Sequence, residues 1–376
     1  MREILATVES WRAERVRIAL ATVVGVERSA PREAGAVLAV NERGEVVGSV
    51  SGGCVEAAVY QEAQDAMTTG RARLASYGIS DDDAFSAGLT CGGTIHVFIE
   101  RLDDWPAGTF ERLARALRDE EPIVAAVRID GRGAGRRLLA GNAKTLGDAG
   151  CFGDLGTFGL TYAATHEARA LLAAGGTALR EFGPDGEPTG AGARVFIEAF
   201  TPKPVMYVFG AVDFSRAMAS LAKYVGYRVI VVDARPIFAT KARIPDADEV
   251  VAAWPDEYLA RAPVDERTAI VVLTHDPKFD IPLLRVALGT RAGYIGAMGS
   301  RRTHANRVAE LRAAGVSGSE LARINAPIGL DIGARTPEET AVSIVAEIVA
   351  LRAERPGGRL SDGTEPIHAA RSMVTA

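Results

Sequence analysis

Apolar residues set the order of elements along this chain. Ile4, Val8 and Trp11 recur at helical spacing and predict a first amphipathic helix. Residues 16–26 show the apolar alternation of a strand, and strands over 36–40 and 45–47 follow, joined by a turn at 41–44. The run Gly48-Ser49-Val50-Ser51-Gly52-Gly53-Cys54 then leads into a helical pattern over 55–67. After a polar loop at 80–86 come a second glycine-rich run over 88–93, a strand over 94–100 and a helix over 105–119. Short glycine-broken strands fill 121–159, the clearest over 123–129. A helix over 165–174 and a strand over 194–200 close this half. Residues 1–200 read as one α/β domain.

Two prolines in Thr201-Pro202-Lys203-Pro204 mark a linker. Beyond it the rhythm is βαβ: strand 205–209, helix 214–225, strand 228–233, then buried strands over 268–273 and 294–297 and a helix over 303–314. Thr336-Pro337-Glu338-Glu339 is a strong helix start, and that helix runs over 341–352. The pattern predicts a Rossmann-like, doubly wound parallel sheet over 204–355 and a polar tail over 356–376. No internal repeat is visible.

The chain has 376 residues, room for two domains, and its 43 Lys+Arg against 48 Asp+Glu leave a net charge of −5. With no long basic run, there is no electrostatic case for nucleic acid. No apolar stretch is long enough to span a bilayer, and the acidic first helix is no signal peptide. Three widely spaced cysteines form no disulfide framework, so reduced thiols and a cytoplasmic location are expected.

Four groups of residues carry candidate chemistry. Gly210 opens the turn after the first βαβ strand, and Asp233 ends the next strand, where a ribose-binding acid stands in dinucleotide folds. Val212 and Asp213 occupy the positions where that fingerprint needs glycine and an uncharged approach, so NAD(P) is a weak candidate. Gly299-Ser300-Arg301-Arg302, between a strand and a helix, suits a phosphate, or is an ordinary connection with solvated arginines. Cys54 and Cys91 each adjoin a Gly-Gly pair, at Ser51-Gly52-Gly53-Cys54 and Cys91-Gly92-Gly93. Cys54 falls at a helix start, where the dipole favours thiolate and loop N–H groups suit an anion. Cys151 reads as structural. His275, at the carboxyl end of a buried strand, is either a ligand contact or a cap.

The segments GSVSGGCVE (48–56), GLTCGGTIHVFIE (88–100), GYRVIVVDARPIFA (226–239), VVLTHD (271–276), YIGAMGSRR (294–302) and APIGLDIGARTPEETAVSI (326–344) together resemble the XdhC/CoxI family. These are accessory factors of xanthine dehydrogenase and related molybdenum hydroxylases. The resemblance implies an accessory chaperone, without turnover of its own, that binds molybdenum cofactor and delivers it to an apo-hydroxylase. It further implies a cysteine desulfurase as a partner in sulfuration, and self-association as a homodimer. The family's Cys-Gly-Gly motif maps onto Cys91, Gly92 and Gly93, with Cys91 nearest the molybdenum. Its glycine-rich loop maps onto Ser51 to Cys54, and Gly210, Asp233, Arg235, His275, Gly299, Ser300 and Arg301 line the Rossmann half. Relatives carry Gly-Ala-Gly-His where this chain has Gly210-Ala211-Val212-Asp213. The alternative reading is an NAD(P)-dependent oxidoreductase.

Overall fold

A computed structural model of the chain describes residues 1–28, 30–78, 93–188, 190 and 192–363. It divides into two compact units, Met1–Pro202 and Lys203–Asp362.

The first unit begins with α1 (Leu5–Ala13), β1 (Ile18–Glu27), β2 (Val37–Asn41), β3 (Val46–Gly48), α2 (Glu56–Thr69), β4 (Arg73–Tyr77) and β5 (Thr94–Arg101). It continues with α3 (Thr109–Arg118), β6 (Ile123–Arg128), β7 (Arg137–Gly141), the single turn α4 (Ala143–Leu146), β8 (Cys151–Gly153), α5 (Phe158–Ala174), β9 (Gly176–Phe182) and β10 (Ala193–Phe200). The strands make two five-stranded sheets, ordered β3-β2-β1-β5-β4 and β8-β7-β6-β10-β9. Every pairing is antiparallel.

These two orders are the same order. Each sheet follows a helix and, leaving aside the single turn α4, each places its second helix between its third and fourth strands, so an α-β-β-β-α-β-β segment occurs twice. Even the register agrees: Ile18 faces Asn41 as Ile123 faces Gly141. The expectation of no internal repeat is thereby corrected. The repetition lies in topology and pairing, which sequence identity need not preserve. Each copy buries its own core, Val59, Ala63 and Met67 of α2 against β1, β2 and β5 in the first, Leu160, Ala164 and Ala168 of α5 in the second. A shared core joins them: Ile4, Val8 and Trp11 pack with Phe110, Leu113 and Leu117 and with Ile18, Leu20, Ile123 and Leu139.

The second unit contains β11 (Val205–Phe209), α6 (Asp213–Tyr224), β12 (Arg228–Asp233), β13 (Glu249–Ala252), α7 (Pro255–Leu259), β14 (Ala269–Val272), α8 (Pro277–Leu288), β15 (Tyr294–Ala297), α9 (Arg301–Ala313), α10 (Gly318–Leu321), β16 (Ile324–Asn325) and α11 (Pro337–Arg352). Its six strands are parallel in the order β13-β12-β11-β14-β15-β16. Met206 and Val208 point to the face covered by α6 and α11, while Tyr207 and Phe209 point to the face covered by α7, α8 and α9. This is the doubly wound Rossmann arrangement read from the sequence. The order reverses between β11 and β14, and the crevice beyond their carboxyl ends is where such sheets take ligands.

Some boundaries differ. α5 starts at Phe158, not 165, because Thr157 caps it by accepting from Leu160 N at 3.2 Å. The start of α11 is the one read from the sequence, with Thr336 as its cap and Pro337 as its first residue.

Candidate functional site

The Ser-Gly-Gly-Cys loop joins β3 to α2, and its backbone donors converge on one carboxylate. Glu56, the first residue of α2, accepts from Ser51 N at 2.9 Å, Gly53 N at 2.8 Å and Ser49 Oγ at 2.7 Å, and from the Ser51 hydroxyl. The Ser51 hydroxyl oxygen takes Cys54 N and Val55 N, both at 3.0 Å, and Ser49 Oγ takes Gly52 N at 2.9 Å. All five N–H groups from 51 to 55 therefore have partners inside the loop. The anion that this loop favours is its own glutamate, so the reading of free N–H groups awaiting a ligand is corrected. Burial opposes the charge on Glu56, but the bonds from Ser51 and Ser49 bring its pKa down to about 2. Gly52 and Gly53 adopt φ of +75° and +119°, conformations that a side chain would strain.

Cys54 is half-buried against the core beneath α2 and sits one residue before the cap Val55, not within the first turn. Gly93 is buried immediately before β5. Cys91 and Gly92 lie outside the described residues. Cys151 is half-buried in β8 against the core of the second repeat.

In the second unit the turn after β11 is drawn tightly onto the next loop. Gly210 has φ of +107°, and a Cβ there would stand 2.8 Å from Thr274 Cγ2, so only glycine fits. Asp233 is buried, and its carboxylate accepts from Ala211 N at 2.7 Å, from Arg235 N at 2.8 Å, and from Arg235 Nε and Nη2 at 2.9 and 2.8 Å. Burial opposes its ionisation, yet the Arg235 guanidinium and these N–H groups hold the carboxyl below its usual range. Ala211, Asp233 and Arg235 thus form one knot beside Gly210, and the acid placed to hold a ribose is occupied by the chain itself.

Beyond β14, His275 is exposed, and the cap of α8 is its neighbour Asp276, which accepts from Lys278 N at 3.1 Å. Gly299 (φ +144°) and Ser300 form the turn after β15, and Ser300 caps α9 by accepting from Thr303 N at 3.1 Å. Arg301 and Arg302 are exposed at that helix start. Under both loops lies a network that sequence reading missed. Asp280 accepts from Thr274 Oγ1 at 2.6 Å and from Arg307 Nη2 at 2.7 Å, and the same Nη2 donates to Met298 O at 3.0 Å. Both partners of this ion pair are buried. Asp280 and Arg307 carried no motif; only the rarity of charge on the inner faces of α8 and α9 marks them.

No helix among the described residues is long and apolar enough to cross a membrane. Family models match in two places: the XdhC and CoxI family over residues 11–78, and the XdhC Rossmann domain over residues 206–348. A relative from Bacillus subtilis (strain 168), named as a probable xanthine dehydrogenase subunit, is 31% identical over 336 residues, covering 89% of this chain and 92% of the relative. The molybdenum cofactor insertion chaperone PaoD of Escherichia coli (strain K12) is 29% identical over 334 residues, covering 89% of this chain and 83% of the relative. A crystal structure described as a xanthine dehydrogenase from Bacillus halodurans shares the fold, with a TM-score of 0.71 at 24% identity, covering 96% of this chain and 98% of that one. From the two domain matches and the near full-length relatives, the chain belongs to the XdhC/CoxI family.

Proposed function

We propose that this protein is a maturation factor that binds molybdenum cofactor and delivers it to an apo molybdenum hydroxylase. The observation that carries the reading is the near full-length similarity to a relative named as a molybdenum cofactor insertion chaperone. Two features of the chain support it. The first Rossmann turn is knotted by Asp233 and Arg235, which disfavours an NAD(P)-dependent oxidoreductase. The Ser-Gly-Gly-Cys loop is fixed internally by Glu56 and presents Cys54 from a rigid frame.

The contact residues put forward are Ser51, Gly52, Gly53 and Cys54 with Cys91, Gly92 and Gly93 in the first unit. In the second they are His275, Gly299, Ser300 and Arg301, with the turn at the start of α9 suited to a phosphate, while Gly210, Asp233 and Arg235 shape the neighbouring turn from within. Cys91 is the proposed thiolate contact to the metal. A desulfurase that supplies the sulfur, a homodimeric state and a cytoplasmic setting belong to the same proposal.

The test is anaerobic purification from cells that make the cofactor, with molybdenum and oxidised pterin assayed in wild type and Cys91→Ala. Stoichiometric pterin in wild type, lowered at least several-fold in the variant, is the expected result. No pterin in either, with NADPH bound, would move the oxidoreductase reading to the front.

A further inference from the structure

The doubled frame of the first unit is broken at one pair of positions. Leu20 faces Glu100 and Ala125 faces Glu198, so these glutamates hold equivalent places in the two repeats. By the same mapping, Thr22 faces Val37 where Val127 faces Arg137. Arg137 of the second repeat forms a buried ion pair with Glu100 of the first, its guanidinium 3.7 Å from the centre of the Trp105 ring. The matching contact for Glu198 would need an arginine at position 37, and valine stands there.

Glu198 accordingly has no hydrogen bond or ion pair among the described residues, and it is half-buried. A cavity of about 460 Å³ opens beside it, lined by Glu198, Val37, Arg2, Arg32, Pro31 and Phe200. Its wall holds a second unmet group. Arg32 Nε is buried with no partner among the described residues, while Nη2 of the same side chain holds Glu3 at 2.9 Å. Pro31 borders Gly52: its Cβ lies 3.9 Å from where a side chain at Gly52 would begin.

We propose that this cavity receives the aminopyrimidinone edge of a pterin, with Glu198 accepting its two adjacent N–H donors and Arg32 Nε donating to its carbonyl oxygen. The proposal rests on the cofactor-carrier reading above and deepens it. An aminopyrimidinone is a cyclic guanidine, so the ligand offers Glu198 the kind of donor that Glu100 receives from Arg137, and a carboxylate accepts two adjacent N–H groups through two parallel bonds. The volume suits a small heterocycle. Burial lifts the Glu198 pKa to about 7, against the pull of the Met1 amino group, Arg137 and Arg2, so its accepting form fills in near neutrality.

The experiment is a fluorescence titration of the full-length protein with 6-hydroxymethylpterin, the corresponding lumazine (which lacks the amino donor) and guanosine. Wild type, Glu198→Gln and Val37→Arg are compared, with thermal melting to verify that each is folded. Wild type should prefer pterin to lumazine by about tenfold, the value of one well-made charged hydrogen bond. Glu198→Gln should lose that preference. Val37→Arg, which supplies an internal guanidinium, should lose binding, and wild-type affinity should rise between about pH 6 and pH 8 as Glu198 ionises. Equal affinity for pterin and lumazine, or a preference untouched by Glu198→Gln, would overturn the proposal. Guanosine binding as tightly as pterin would overturn the pterin assignment in favour of a nucleotide base. Glu198→Gln retaining full molybdenum and pterin content sinks this subsite and leaves the carrier reading standing, whereas wild type with neither sinks both.

Discussion

Glu56 stands at the point where a glycine-rich loop becomes a helix, and its carboxylate is the common acceptor for that loop. Replacing it with glutamine keeps the shape but turns half of the acceptor into a donor facing Ser51 N or Gly53 N. Glu56→Gln should lower stability by about 1–3 kcal/mol, the cost of leaving such groups unmatched, read as a shift of the urea midpoint. The sign of the pH effect follows from the lowered pKa of about 2. Glu56 binds protons less readily folded than unfolded, so its contribution is complete above the ordinary carboxylate range and fades as pH falls toward 2. In Glu56→Gln the loss of stability between about pH 5 and pH 2 should be shallower than in wild type. Sequence reading found the loop and its cysteine but not this acid, because a glutamate opening a helix looks like ordinary dipole complementarity. Only the fold shows that the loop curls back over it.

At the scale of elements, the apolar strands of the parallel sheet were legible because both faces are buried and the runs β11, β12, β14 and β15 read as continuous hydrophobic stretches. The short strand β13, half exposed, and the two-residue β16 carry no such signal, and pairing with neighbours alone defines them. The start of α5 was hidden by Gly156 and Gly159, which read as loop until the Thr157 cap is seen. The Asp280–Arg307 pair binds α8 to α9 and supports the loops at the carboxyl edge. Arg307→Ala would strand a buried carboxylate and should cost about 3–5 kcal/mol in chemical denaturation. Asp280→Asn combined with Arg307→Met should recover part of that loss, since removing both charges leaves no buried charge unpaired, although Met298 O still loses its donor.

For the whole molecule, the two units have separate cores, and those of the parallel-sheet unit draw only on residues between Val205 and Ile348. Residues 203–362 should therefore fold alone with a cooperative thermal transition, visible by circular dichroism. A cut between the two repeats should behave differently. Residues 1–104 alone would expose Ile4, Val8 and Trp11, whose partners Phe110, Leu113 and Leu117 belong to the second repeat, so this fragment should not melt cooperatively. The division into compact units falls between Pro202 and Lys203, within the stretch where two prolines interrupt the pattern. The doubling within 1–202 was not legible in the sequence, because a repeat can keep strand order and register while most side chains change.

In a doubled frame each inner position exists twice, and the copies need not share a duty. Glu100 with Arg137 acts as a bolt between the repeats, while Glu198 beside Val37 keeps the same acid without its counterpart. Glu198 itself feels the Met1 amino group, Arg137 and Arg2 only through the field, with no direct ion pair to any of them. A single change at one position then suffices to turn a fastening into a vacancy whose walls are already braced on the other side. In such a frame the strands are held by the rest of the unit, so a change at the facing position alters what the acid meets without altering the frame that holds it.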